Sequence, residues 1–384
     1  MSYQICNRCI CDTSIENIKF NSDGICSFCE LHDELEKIYP LNSEGEQKLN
    51  NIIAQIKADG KDKRYDCVLG VSGGRDSMYT LHNLVTKFKL RPLAVHFNDG
   101  FGNPIAGENM RKATKKLGVD LITITSDWRE SKDLKIAFLK ASTPDMEEGT
   151  DIGIATALYG AANKYNLKYI VIGQSFRTEG IAPLSWNFLD GKYLKNVHKQ
   201  FGTVPLRKWT PDDPGFNLDI KEMLYYTVYK RIKTFPVLYY QNYVREDVDS
   251  LLEKELDWKN PGAHYFDDLY QSLMTKILRE KFKIDRRIFN YSALVRSGQM
   301  ARESALEKVK TKYSIEDPKT IELCIKRLGI TEAELNEYVA RKPLTFKDYK
   351  TNYRLIKLAR PAIWLFAYLN LLPKTAYHKY FKCG

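Results

Sequence analysis

The residues Ser72-Gly73-Gly74-Arg75-Asp76-Ser77 have the types and spacing of a phosphate cradle. Residues 65–71 are a short apolar run that reads as a buried strand, and apolar positions recur at helical spacing from Met78 onward. A strand, a paired-glycine turn and a helix start together make an anion site. The glycines let backbone N–H groups turn inward without Cβ clashes, and the helix start adds unpaired donors and the positive end of its dipole. Ser72 and Ser77 add hydroxyl donors, and Asp76 is the candidate ligand for a Mg2+ held against a polyphosphate. No Gly-Lys-Ser/Thr follows the glycines, so the loop is not of the Walker type.

A second constellation is suited to metal. Five of the eight cysteines fall within the first 29 residues, which reads as a metal site rather than a disulfide framework. Cys6-x2-Cys9 and Cys26-x2-Cys29, sixteen residues apart, have the spacing of a four-cysteine zinc ribbon, with a small hairpin turning over Asn21–Gly24. Cys11 is an alternative ligand, and an iron–sulfur cluster competes with zinc for soft thiolates. Cys67 in the apolar strand and Cys324 in a helix read as packing residues, and Cys383 lies in the tail.

The elements that must position these residues alternate from Tyr65 onward. Strands are expected at 65–71, 91–97, 119–125 and 168–173, and helices at 77–88, 105–117, 130–141 and 151–165. This alternation predicts an α/β fold with a doubly wound parallel sheet, whose ligands sit beyond the carboxyl ends of the strands. Those ends carry the glycine loop, His96-Phe97-Asn98, and the polar run Gly173-Gln174-Ser175-Phe176-Arg177-Thr178-Glu179-Gly180. Beyond residue 200 the spacing predicts helices at 217–235, 244–257, 267–282, 299–309, 315–328 and 331–341. The expected organisation is a ribbon over 1–40, a linker helix over 41–64, the sheet domain over 65–235, a helical closing region over 236–345 and an apolar tail over 346–384. The apolar stretch 360–373 is too short to cross a bilayer and reads as a docking or packing helix rather than a membrane-surface one.

Composition agrees with a globular enzyme: of 384 residues, 43% are hydrophobic and 28% charged. With no long apolar run and no signal-peptide pattern, a cytoplasmic location is expected. The net charge of +11 favours anionic partners without choosing among nucleotides, sugar acids and RNA.

Ser72 to Ser77 resembles the PP-loop of the ATP pyrophosphatases, which cleave ATP between the α and β phosphates and adenylate a substrate. Over nearly the whole chain the sequence resembles the N-acetyl sugar amidotransferase family of lipopolysaccharide and flagellin nonulosonic-acid pathways. The resemblance is carried by Ser72–Ser77, Ile172–Gly180, Gly262-Ala263-His264-Tyr265, Lys281–Arg287 and Ser297–Leu306. It implies ATP, Mg2+ and Zn2+ as cofactors. His96, Phe97 and Asn98, with Gly173 and Gln174, would seat the nucleotide, and Asp76, Ser77, Arg177 and His264 are the expected catalytic residues. Arg177 would offset charge on an adenylate and Glu179 would orient a nucleophile, while His264, Asp285 and Arg286 would close over sugar or pyrophosphate. Ala263 stands where relatives carry a lysine, so no lysine role transfers there. The implied reaction adenylates an acetamido oxygen and replaces AMP by ammonia. The ammonia would come from a glutaminase and an ammonia-channelling subunit similar to those of imidazole-glycerol-phosphate synthase, with 360–373 as a docking element. The rival is a PP-loop tRNA-modifying thiolase, which the ribbon and basic charge suit; no second cysteine pair stands near the loop to handle sulfur, so no nucleic acid is expected.

Overall fold

Cys67–Gly70 (β1), Pro92–Asn98 (β2), Leu121–Thr125 (β3), Tyr169–Ile172 (β4) and Lys233–Pro236 (β5) form one parallel sheet in the order β3-β2-β1-β4-β5. The computed structural model describes residues 3–208, 210, 215, 218–262, 266–369, 372 and 374–382. Because successive strand residues point to opposite faces, Val68, Leu93, Val95 and Ile170 enter one core, while Cys67, Leu69, Ala94, Tyr169 and Val171 enter another. Burial on both faces explains why the strands read as continuous apolar runs. The chain leaves β1 toward β2 on one side and later returns to β4 on the other, so the crevice between β1 and β4 is the topological switch point.

Helices α1 (Ser27–Ile38) and α2 (Ser43–Gly60) lead from the ribbon to the sheet. Helices α3 (Arg75–Thr86), α4 (Pro104–Leu117), α5 (Trp128–Ala141) and α6 (Glu148–Lys164) connect the first four strands. Their ends follow local chemistry: the Asn103 side chain accepts from the Ile105 N–H, Pro104 fills the first turn, and Gly118 closes α4 at φ 65°. One layer of the wrap is α2, α3 and the later helix 245–256, through Leu49, Ile53, Met78, Leu81, Val248 and Leu252. The other is α5 and α6, through Leu134, Phe138, Ile152 and Ala162. The doubly wound α/β fold expected from the alternation is the one observed.

After β4 come α7 (Phe176–Glu179), α8 (Gly191–Phe201) and α9 (Ile220–Leu224). The helical region comprises α10 (Arg245–Leu256), α11 (Tyr270–Phe282), α12 (Arg286–Arg296), α13 (Arg302–Lys310), α14 (Pro318–Leu328) and α15 (Glu332–Ala340). The tail folds as α16 (Tyr353–Leu358), α17 (Arg360–Tyr368) and α18 (Lys374–Lys382). No helix among the described residues is long and apolar enough to cross a membrane.

The single helix expected over 217–235 does not form. Helix α9 gives way to a π turn at Tyr225–Tyr229, Arg231 takes a left-handed φ of 55°, and the chain re-emerges as β5 on the sheet edge. Aromatic and β-branched residues favour strand or irregular backbone over helix, and Tyr226 is drawn inward to stack on Tyr159 at 5.3 Å. Proline at the end of β5 is tolerated because the strand is at an edge.

The ribbon is not an appendage. Antiparallel bridges pair Ile5 with Asp12 and Phe20 with Cys26, and Asn21 caps the intervening turn by accepting from the N–H groups of Asp23 and Ile25. Its cysteines share a core with Phe176 of α7, Tyr239 and Phe289 of α12, the last in edge contact with Phe28 at 4.9 Å.

A close backbone approach that shapes the site is at the glycine loop. Gly73 has φ 83°, and a Cβ there would lie 2.0 Å from the Ala106 carbonyl oxygen. Gly73→Ala is expected to destabilise the protein by roughly 1–3 kcal/mol, read as a lowered urea midpoint with unchanged m-value.

Candidate functional site

A cavity of about 790 Å3 opens at the switch point. The carboxyl ends of β1, β2 and β4 deliver Ser72, Gly74, Arg75, Asp76 and Ser77, then His96, Phe97 and Asn98, then Gly173, Gln174 and Glu179 to its wall. Gly73 does not line it but makes the turn, its carbonyl accepting from Asn109 Nδ2 and Trp258 Nε1, each at 3.0 Å. Gly173 permits β4 to pass against the start of α3, where a Cβ would sit 2.8 Å from the Asp76 carbonyl oxygen.

The loop hydroxyls are knitted together. The Ser72 N–H donates to Ser77 Oγ at 3.2 Å, the two hydroxyl oxygens are 3.2 Å apart, and Ser77 Oγ donates to the Gly74 carbonyl at 3.1 Å. Arg75 is tied to Asp249, with Nη2 2.7 Å from Oδ2, which places it as a link to α10 at the cavity edge. Tyr243 donates its hydroxyl to Asp76 Oδ1, whereas Asp76 Oδ2 is buried with no hydrogen-bond partner. Beside it, burial and the charge of Asp76 hold the Glu179 carboxyl well above the usual carboxylate range. Burial also raises Asp267, which Ser72 bonds. An unpaired carboxylate oxygen beside an anion-ready loop fits the ligand set of a divalent cation bridging to a polyphosphate. His96 Nδ1 lies 3.1 Å from the Val71 carbonyl oxygen, and burial lowers the imidazole below its ordinary range, so the ring is neutral.

A second cluster on the cavity wall had no sequence signal. The carboxylates of Asp99, Glu147 and Asp268 converge to within 4.8 Å. Lys135, itself buried, occupies their midst, with Nζ 2.8 Å from Asp99, 3.2 Å from Glu147 and 2.9 Å from Thr150 Oγ1. Burial opposes a charge on Lys135, and the facing Asp99 and Glu147 outweigh it. The ammonium is the cation of this cluster. Lys135 lies in α5, twelve residues before Glu147 and fifteen before Thr150 but far in sequence from Asp99 and Asp268, so only the fold completes the cluster.

Arg177 is a correction. It does not line the cavity: its side chain is 3% exposed, its Nε and Nη2 donate to the Glu36 carboxylate at 2.7 and 2.6 Å, and its other N–H groups reach the carbonyls of Tyr39 and Tyr239. Four of the five N–H groups are spent on these acceptors, and the buried guanidinium stands outside the cavity lining, so it is not placed to offset charge on an adenylate there. Asp285 caps α12 and pairs with Arg287, and Arg286 donates to Gln271 Oε1 at 2.6 Å, so both sit in the wall's own bonding. His264, with Ala263 and Tyr265, lies outside the described residues.

At the ribbon, Cys6, Cys9, Cys26 and Cys29 bring their sulfurs together, with separations of 3.8 Å for Cys6–Cys29, 3.6 Å for Cys9–Cys26 and 3.7 Å for Cys26–Cys29. A tetrahedral ion with metal–sulfur bonds of ~2.3 Å places its thiolates ~3.8 Å apart. These four residues therefore fit one metal ion. Cys11 stands outside the group and donates its thiol to Ser292 Oγ at 3.2 Å. Buried Arg296 of α12 points Nη1 at Cys9 Sγ, 3.7 Å away, and Arg302 donates to the Cys6 and Cys9 carbonyls at 2.8 and 3.0 Å. A guanidinium against a thiolate set offsets its negative charge and orients it.

The fold and site define an α/β protein with a glycine-loop cavity at the switch point of its parallel sheet and a four-cysteine ribbon. Residues 241–360 match the family model described as LPS biosynthesis protein WbpG-like, C-terminal domain. That match supports the resemblance to the N-acetyl sugar amidotransferase family, and it does so from outside the glycine loop. The chain is 25% identical over 332 residues to the uncharacterized protein MJ1599 of Methanocaldococcus jannaschii, covering 85% of this chain and 99% of that one. Two solved structures share 13–15% identity. The U34-tRNA thiolase NcsA from Methanococcus maripaludis, with its [4Fe-4S] cluster, is 13% identical at TM-score 0.29, over 82% of this chain and 89% of that chain. The NH3-dependent NAD synthetase of Campylobacter jejuni is 15% identical at TM-score 0.28, over 78% of this chain and 97% of that chain. Likenesses this distant in shape decide nothing about the chemistry.

Cys9→Ser is expected to abolish tight metal binding, whereas Cys11→Ser retains about one metal ion per chain, as elemental analysis of the purified variants would read. Metal lost from the Cys11 variant and kept by the Cys9 variant would reverse the ligand assignment.

Proposed function

We propose that the protein is an ATP-dependent amidotransferase that forms AMP and pyrophosphate and converts the N-acetyl group of an anionic sugar into an acetamidino group, for surface polysaccharide or flagellin glycan. One observation carries this reading. The cavity is lined by the phosphate loop together with Arg245, Trp258, Asp267, Asn290, Tyr291 and Lys312, all six within the segment that matches the WbpG-like C-terminal domain.

In this reading Ser72, Gly74 and Ser77 bind the phosphates. Asp76, through its unpaired oxygen, would hold a Mg2+, which would supply charge neutralisation toward a polyphosphate. His96, Phe97 and Asn98 hold the nucleoside, and Gly173 and Gln174 border it. Lys312 and Tyr291 offer a cation and a hydroxyl to the sugar. His264 joins them as a catalytic candidate on the evidence of sequence.

The amide oxygen attacks the α-phosphorus, and the bond to the β-phosphate oxygen breaks to release pyrophosphate. Ammonia then adds to the imidate carbon, the C–O bond breaks, and AMP leaves with that oxygen while a proton passes to solvent. A neutral amide is a poor electrophile, and adenylation turns its oxygen into a good leaving group. Charge stabilisation by fixed donors of this kind contributes several kcal/mol, on the order of 3 for one oxyanion donor.

The ribbon ion is proposed to be zinc in a closed structural site, because the sulfur separations suit one tetrahedral ion and leave no room for a multi-iron core. The ammonia is proposed to come from a separate glutaminase through a channelling subunit. A glutaminase needs an activated thiol, and burial raises Cys67 above the ordinary thiol range and pushes Cys324 up to about 12. Use of ATP fits a cytoplasmic site of action.

With N-acetylated nucleotide sugars or nonulosonic acids, α-labelled ATP and ammonium, the purified chain is expected to release AMP and pyrophosphate. Asp76→Asn should lower turnover at least about tenfold, the effect of ~1.4 kcal/mol on the barrier. Glutamine should replace ammonium only when the partner is added. Release of ADP and phosphate, turnover that requires tRNA, or glutamine hydrolysis by this chain alone would each overturn the reading.

A further inference from the structure

We propose that α16 and α17 seat the protein on an anionic lipid surface, lying in its plane. Leu355, Leu358, Trp364, Leu365, Tyr368 and Leu369 form a run of exposed large apolar side chains within fifteen residues. Leu358 is 81% exposed, Trp364 53% and Tyr368 65%. Trp364 and Tyr368 stack one turn apart, with ring centroids at 5.6 Å. A contiguous apolar face on a folded protein marks a surface that something covers.

The charge around this face says what covers it. Residues 349–384 contain seven Lys or Arg residues and no Asp or Glu. Arg354, Lys357 and Arg360 are exposed and interleave with Leu355 and Leu358 along the two helices. Trp and Tyr at an apolar–polar boundary, leucines beside them and a basic rim are what a headgroup layer over acyl chains takes up. Protein interfaces of the same size are depleted in lysine. A nine-residue helix is about 13–14 Å long, less than half the ~30 Å of a hydrocarbon core, so α17 lies along the surface rather than through it.

The opposite side of the tail is fixed to the body. Tyr353 and Ile356 pack on the main core, and the Asn352 side chain donates to Asp190 and Asp219, each at 2.7 Å. The Tyr380 hydroxyl donates to the Leu189 carbonyl at 2.8 Å. The face is therefore presented by an anchored platform, not by a loose end.

The test is sedimentation of the full chain with vesicles of phosphatidylcholine, with and without phosphatidylglycerol. The wild-type protein is expected to pellet with the phosphatidylglycerol vesicles and to be released by salt. Leu358→Glu with Trp364→Glu, at positions already in water, should abolish pelleting with circular dichroism and metal content unchanged. Arg354→Gln with Lys357→Gln should lower the bound fraction roughly tenfold, and this second variant carries the test if the first misfolds. Failure of the wild-type protein to bind, equal binding to vesicles without phosphatidylglycerol, or a dimer that the Leu358/Trp364 variant dissociates would overturn the proposal, the last by making the occupant a second copy of the chain.

Discussion

Taking a guanidinium out of water costs several kcal/mol unless nearly every N–H finds an acceptor, and Arg177 meets that condition by drawing three parts of the chain to one point. Glu36 comes from the helix that leaves the ribbon, the Tyr39 carbonyl from the turn after it, and the Tyr239 carbonyl from the segment beyond the last strand. The cation also lies over the Phe176 ring at 4.5 Å. Because Arg177 sits in the short helix after β4, the same contact fixes where Thr178 and Glu179 stand. The Thr178 carbonyl accepts from Arg245 Nη2 at 2.8 Å, and Glu179 reaches the cavity beside Asp76. Removal of the guanidinium would leave a carboxylate and two carbonyls facing one another, so the position is constrained by charge and donors as much as by volume.

The ribbon acts on the cavity through the same neighbourhood. Its thiolates meet Arg296, its carbonyls meet Arg302, and both arginines come from the segment that supplies the cavity's outer wall. Helix α12 therefore feels the ribbon on one side and, through Asn290 and Tyr291, the cavity on the other. The cavity itself is electrically divided: Asp76, Glu179 and Asp267 gather at the glycine loop, while Lys135 neutralises a separate carboxylate group against β2.

The glycine loop and the two cysteine pairs were legible because their chemistry is local: six consecutive residues make one, and fixed spacing makes the other. The first four strands and their helices were legible for the same reason, since each buries a run or a stripe. The fifth strand was not, because Thr234 and Phe235 become a strand only by pairing with β4, and the aromatic run before them scans as helix until Tyr226 turns inward. Arg177 misled because a cation at the end of a strand resembles a ligand-binding group, and nothing in the sequence places Glu36 beside it. Trp258 and Asn109, which hold the Gly73 carbonyl, and Lys135 with its acids are likewise products of long-range packing. Cys11 was ambiguous by spacing alone; in the fold its thiol bonds Ser292 and lies outside the group of four converging sulfurs.

The sequence distance between the ribbon and its support has a consequence for synthesis. Cys9 and Arg296 are 287 residues apart. At ~5–20 residues per second a ribosome needs roughly 15–60 s to travel that far. For most of this interval the four cysteines are outside the tunnel, while Phe289, Ser292, Arg296 and Arg302 do not yet exist. A nascent ribbon lacks the counter-charge and cover that it later receives, and until then its cysteines stand open to oxidants. The order in which the chain is made thus sets a vulnerable period that the finished molecule no longer displays.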